Sequence, residues 1–171
     1  MPKPSAPFDI ARSLLECYAV NERINQYLFE NLPDAAWNAE PPGGKGRTIA
    51  AITAHMHNVR HMWLVAAAKG GTLPDKLDRA TVTKKEAMQA LAESAQCCAR
   101  LLEESLQHPE GKVKGFRPDV VGMLGYLISH DAHHRGQICA LARQLGYPLP
   151  KQATFGMWEW GTRWKECGFR G

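Results

Sequence analysis

The sequence predicts an all-α protein, a four-helix bundle with a short C-terminal helix and aromatic tail. Three observations carry that expectation. Apolar residues recur every three or four positions through long segments, which is the period of a helix with one buried face. Proline, glycine and capping residues stand at the ends of those segments. No segment shows the sustained apolar–polar alternation of a strand, and there is no internal repeat or low-complexity tract. At 171 residues the chain is long enough for one domain with a real core, so a single domain over 1–171 is expected.

The elements follow in order. Residues 1–7 are proline-rich and read as extended. From Phe8 the pattern is helical, with Ile10, Leu14, Cys17, Tyr18, Ile24 and Leu28 on one face. Asn31-Leu32-Pro33 ends it, because proline cannot continue the hydrogen-bond ladder; the first helix is expected at about 8–31. The loop that follows holds Pro41-Pro42-Gly43-Gly44-Lys45-Gly46. Its glycines and lysine do not make a phosphate-binding loop, since the spacing is wrong and no strand precedes them.

Thr48 can cap a second helix at about 48–69, with Ile52, His55, Val59, Met62 and Trp63 as its apolar face and Gly70-Gly71 as its stop. Thr83-Lys84-Lys85-Glu86 is a capping box for a third helix at about 84–107. Its inner face is Ala87, Leu91, Ser94, Ala95, Cys98, Leu101, Leu102 and Ser105. Pro118 and Asp119 open a fourth helix at about 118–145, with Gly146 as the expected stop. The remainder, 147–171, is rich in tryptophan and predicts a tail with a short helix near 155–165.

Charge and cysteine usage narrow the function. The net charge is +4, and the basic residues are scattered, with local clusters only at Lys45/Arg47 and Lys112/Lys114/Arg117. That balance argues against a dedicated nucleic-acid surface. The five cysteines, Cys17, Cys97, Cys98, Cys139 and Cys167, form no C-x-x-C pair and are odd in number, so reduced thiols are expected. The N-terminus lacks the apolar run of a signal peptide, and no segment is long enough to cross a membrane; the expectation is a cytoplasmic protein with no membrane partner.

The chemistry concentrates in Leu127-Ile128-Ser129-His130-Asp131-Ala132-His133-His134-Arg135-Gly136-Gln137-Ile138. His130 and His134 fall four apart on the stripe marked by Leu124, Leu127, Ile138, Leu141 and Leu145. Residues four apart lie one turn above the other, so two imidazoles so placed can close on one cation. A lone histidine on an apolar face is more often a satisfied core residue. Two buried a turn apart each need a partner, and a shared metal supplies it for both. His55, on the apolar stripe of the second helix, adds a third nitrogen from a facing helix. Three protein ligands with an open fourth position are a catalytic rather than a structural pattern.

The neighbours read differently. His57 and His61 are also four apart, but lie off the His55 stripe and read as surface or interface residues. His133 is turned about 100° from His134 and is a candidate base at the site's edge. Asp131 points away from His130, either solvated or holding a histidine of another helix. Gly136 inside a helix suggests the close approach of another backbone, and Arg135 and Gln137 read chiefly as structural anchors. There is no H-E-x-x-H, no E-x-x-H and no G-x-S-x-G motif, and Cys139 falls off the histidine line.

His130-x-x-x-His134-Arg135-Gly136-Gln137-Ile138 with Leu145-Gly146, the earlier Ile52-x-x-His55 with Trp63, and the ending Gly156-x-Trp158-Glu159-Trp160-Gly161 together resemble the DinB-like proteins of the damage-inducible DinB/YfiT superfamily. The resemblance covers essentially the whole chain. It implies a bundle with a non-simple helix order that commonly forms a homodimer. It implies a divalent metal, zinc or nickel, on residues matching His55, His130 and His134. Related bundles include thiol-dependent enzymes, so the resemblance implies a metal-dependent enzyme, such as an S-transferase using a low-molecular-weight thiol, or a hydrolase. The alternative is a non-enzymatic, metal-binding stress-response bundle with an interaction role.

Overall fold

The computed structural model describes residues 7–67 and 73–170, all of them helical or loop. The expected extended segment before Pro7 and the expected Gly70-Gly71 stop lie outside the described residues.

The first helix, α1, spans Ile10–Asn31, and Asp9 caps it by accepting the Arg12 amide at 3.0 Å. Phe8 and Ile10 do not join the core; both are exposed. The second helix, α2, spans Ile49–Ala67, with the Thr48 hydroxyl accepting the Ala51 amide at 3.1 Å. The third, α3, spans Lys84–Gln107 behind the predicted capping box, in which both reciprocal bonds of Thr83 and Glu86 are present. The fourth, α4, spans Val120–Gln144. Its cap is Asp119, whose Oδ1 accepts the Gly122 amide at 2.9 Å, so Pro118 stands just outside the helix. Gly146 terminates it at φ 83°, a left-handed conformation that glycine adopts without strain. The tail folds as two short helices rather than one, α5 at Lys151–Gly156 and α6 at Trp160–Glu166, and both pack on α1.

The helix order is not a simple up-and-down circuit. Helix α1 packs on α3 and α4, and α2 packs on α3 and α4, so the consecutive helices α1 and α2 are diagonal to each other. The long α1–α2 and α2–α3 connections serve that crossing. Trp37 in the first donates its Nε1–H to the Val82 carbonyl of the second at 2.9 Å, tying the two loops together.

The core has two apolar parts. One gathers Phe29, Trp37, Ile49, Met56, Leu91 and Ile138, and the other Tyr18, Cys98, Leu102, Met123 and Leu127. Each fully buried large side chain contributes about 1.5–3 kcal/mol of burial free energy. Between the two parts lies a charged layer. Arg60, fully buried, donates to Asp131 Oδ2 and to Glu22 Oε2, each at 2.7 Å, and to the Leu91 carbonyl at 2.9 Å. Asn21 and Asn25 donate to the same Asp131 oxygen, and Arg135 donates to the carbonyl oxygens of both asparagines.

This layer corrects three sequence expectations. Asp131 is neither solvated nor a histidine's partner; it is buried and ion-paired. The buried face of α2 runs through Thr53, Met56, His57, Arg60 and Leu64, so the face expected through Met62 is rotated outward and Met62 is exposed. His57 is therefore not a surface residue. It is fully buried, with Nδ1 3.0 Å from the Ala90 carbonyl and Nε2 2.8 Å from the Asp75 carbonyl. No helix among the described residues is long and apolar enough to cross a membrane.

Candidate metal centre

The site forms where α2 and α4 run side by side. On α4, His130 and His134 sit one turn apart, and their Nε2 atoms are 3.2 Å from each other. On α2, His55 places its ring 5.4 Å from that of His130 and 4.9 Å from that of His134. One ligand atom from each of the three lies within 4.8 Å of the other two. Two nitrogens bound at ~2.0–2.1 Å to one tetrahedral ion would stand ~3.3 Å apart, close to the separation already present between His130 and His134. The donor set fits a borderline ion such as zinc or nickel, which neutral imidazole suits.

Tautomer and orientation are fixed at one ligand. His134 Nδ1 lies 2.8 Å from Gln137 Oε1, to which it donates a hydrogen bond, leaving Nε2 to face the other histidines. Gln137 thus does more than anchor the helix. Tyr126 stacks on His130, ring centroids 5.8 Å apart and planes 24° from parallel. Trp63 and Phe116 each meet Tyr126 edge-on at 5.7 Å, or at a tilt, to extend that aromatic wall.

The three rings are held neutral. Burial, reinforced by the neighbouring His134, lowers His55 to about 4. Burial likewise lowers His130 and His134 below the ordinary imidazole range. Neutral rings at physiological pH have lone pairs available for a cation. The buried aspartate beside them offers nothing to the site. Burial alone would raise it, but Arg60 and the two asparagines outweigh that and hold Asp131 ionised.

The remaining sequence candidates divide. His133 is exposed, its ring 5.0 Å from that of His134, at the edge of the cluster. His57 and His61 stay apart from it: His57 bonds to backbone on α3 and the α2–α3 loop, and His61 Nδ1 is buried without a partner. Gly136 faces open space, with nothing near where a Cβ would stand, so the expected close backbone approach is absent. Close approach occurs instead at Gly156, against the Tyr27 ring. Arg135 anchors α4 to α1. The sequence does not reveal the Arg60–Asp131 pair, because a charged residue on a helix reads as its solvent face. The signal that could have found it is the set of asparagines, Asn21 and Asn25, on the apolar side of α1.

Among the described residues no fourth histidine, cysteine or carboxylate joins the three, so the cluster is an open, three-imidazole centre in a helical bundle. The sequence agrees with that class. The model of the DinB family matches residues 8–166, and the chain belongs to that family. No curated protein and no solved structure matches the chain.

Proposed function

We propose that this DinB-family protein is a metal-dependent enzyme in which His55, His130 and His134 hold one divalent ion, zinc or nickel. The observation that carries the reading is the convergence of three neutral imidazoles with no fourth protein ligand among the described residues. A purely structural site closes its shell with protein groups, whereas a catalytic one keeps a position for water or substrate. When bound, the ion would lower the pKa of a coordinated water or thiol toward neutrality. The chain's own residues do the rest. Gln137 holds the tautomer of His134, the ring of Tyr126 covers one face of His130, and the exposed His133 is placed to exchange protons at the edge. The resemblance of the sequence to bundles that include thiol-dependent enzymes supports transfer of a low-molecular-weight thiol to an electrophile as the reaction class, with hydrolysis next.

Metal content tests the reading first. Protein purified without chelator or added metal should carry about one equivalent of metal by elemental analysis, and His134→Ala near none. A wild type that takes up neither zinc nor nickel on titration returns the histidines to a core role and leaves the non-enzymatic alternative. With metal established, a screen of thiol-transfer and hydrolysis substrates follows.

A further inference from the structure

Among the described residues the histidine cluster has no carboxylate within it to balance a bound cation. Asp131, next to His130 in the chain, and Glu22 are committed to Arg60, and with Arg135 they make a self-neutral set of two acids and two bases. A divalent ion on three neutral imidazoles would therefore keep its whole double charge. The loops add to it. Arg79 Nη2 stands 3.4 Å from His55 Nδ1. Arg47 stands two residues before α2, the helix that carries His55, begins at Ile49. Both arginines are exposed, and among the described residues neither has a carboxylate within ion-pair distance.

Arg79 is not on a loose loop. His57 hydrogen-bonds the Asp75 carbonyl, and Asn58 clamps Leu77 through both its backbone groups at 2.9 Å. These bonds fix the α2–α3 loop against α2 four residues and two residues before Arg79. On the far side of the cluster the character changes to apolar, with Tyr126 stacked on His130 and Trp63 and Phe116 behind it. The α2–α4 face thus runs from two guanidiniums, across the histidines, to an aromatic wall.

We propose that the site binds a small carboxylate with an apolar or aromatic body. The carboxylate sits between Arg47, Arg79 and the histidine cluster, and the body lies along Tyr126 and Trp63. This rests on the metal site proposed above and names the substrate class for it. Arginine suits the task because its planar fork pairs both oxygens of a carboxylate. Placing like charges around a cation site is unfavourable until an anion arrives, so the arrangement selects for one.

The test uses the intact protein and keeps the two proposals apart. Zinc affinity is measured first, by competition with a chromogenic chelator, for wild type and for an Arg47→Gln/Arg79→Gln double variant. Removing two exposed positive charges should leave zinc binding unchanged or severalfold tighter. The zinc-loaded proteins are then titrated calorimetrically with 3-phenylpropanoate and 4-phenylbutyrate, each against its uncharged amide. The wild type should bind at least one acid tenfold or more tightly than its amide, and the double variant should lose most of that preference. Acid and amide binding alike, no acid binding, or an acid preference unchanged in the double variant would each overturn the carboxylate site. A wild type that holds no zinc fails at the first step and overturns the metal reading, and the anion site with it.

Discussion

At the scale of single residues, the site depends on groups that do not touch its centre. Gln137 fixes which nitrogen of His134 faces the cluster, and such partners of metal-binding histidines are worth about 10–100-fold in metal affinity. Gln137→Ala should weaken zinc binding by that order in a chelator competition while the helical circular-dichroism signal stays unchanged. Asp131 is the opposite case. It is buried against Arg60, and removing one member of a buried pair typically costs about 3–5 kcal/mol because the other is left charged and unpaired. Asp131→Leu should lower unfolding free energy in urea by that amount. The His130–His134 pair was legible in the sequence because residues four apart on a helix stand one turn above the other, whereas the same spacing at His57 and His61 makes no cluster. The pair Arg60–Asp131 was not legible, because charge and apolar periodicity alone do not distinguish a solvated face from a charged layer shared by α1, α2 and α4.

At the scale of elements, the helix ends were the most readable features. Proline at 33, the capping box at Thr83 and glycine at 146 each act through local backbone geometry, and the structure ends helices beside all of them. The rotation of α2 was not readable in the same way. Its residues are apolar nearly all round, so the choice of buried face is made by what α3 and α4 present, and it falls on Met56, His57 and Arg60. The consequence for His55 is a half-buried position at the edge of that face, toward α4. Two glycines test the element packing in opposite directions. Gly136 lies on the open side of α4, so Gly136→Ala should stabilise by about 0.5–1 kcal/mol, seen as a higher urea midpoint. At Gly156 a Cβ would come within 2.8 Å of Tyr27 ring atoms, and Arg163 covers that ring at 3.9 Å. Gly156→Ala should therefore cost about 1–3 kcal/mol and loosen α5 from α1, measurable as faster hydrogen exchange in 151–156.

At the scale of the whole molecule, the histidines couple stability to pH. His55 is held at about 4 by burial and by His134, and His57, His130 and His134 are lowered too. In the unfolded chain these rings titrate near 6.5, so between about 6.5 and 4 the unfolded state binds more protons than the folded one. Stability of the metal-free protein should thus be full above that window and fall as pH drops through it; Asp131, itself held below its ordinary value, gives way only further down. Urea midpoints at pH 7, 6, 5 and 4.5 check this, and a flat profile would contradict it. The diagonal placement of α1 and α2 has a different consequence, in the order of synthesis. His55 leaves the ribosome long before His130 and His134, and its helix finds its neighbours only once α3 and α4 exist. A three-point grip on an ion is therefore impossible for any nascent chain that stops short of the last long helix. If the cluster holds an ion, a truncated or half-assembled copy would lack one or two of its three ligands.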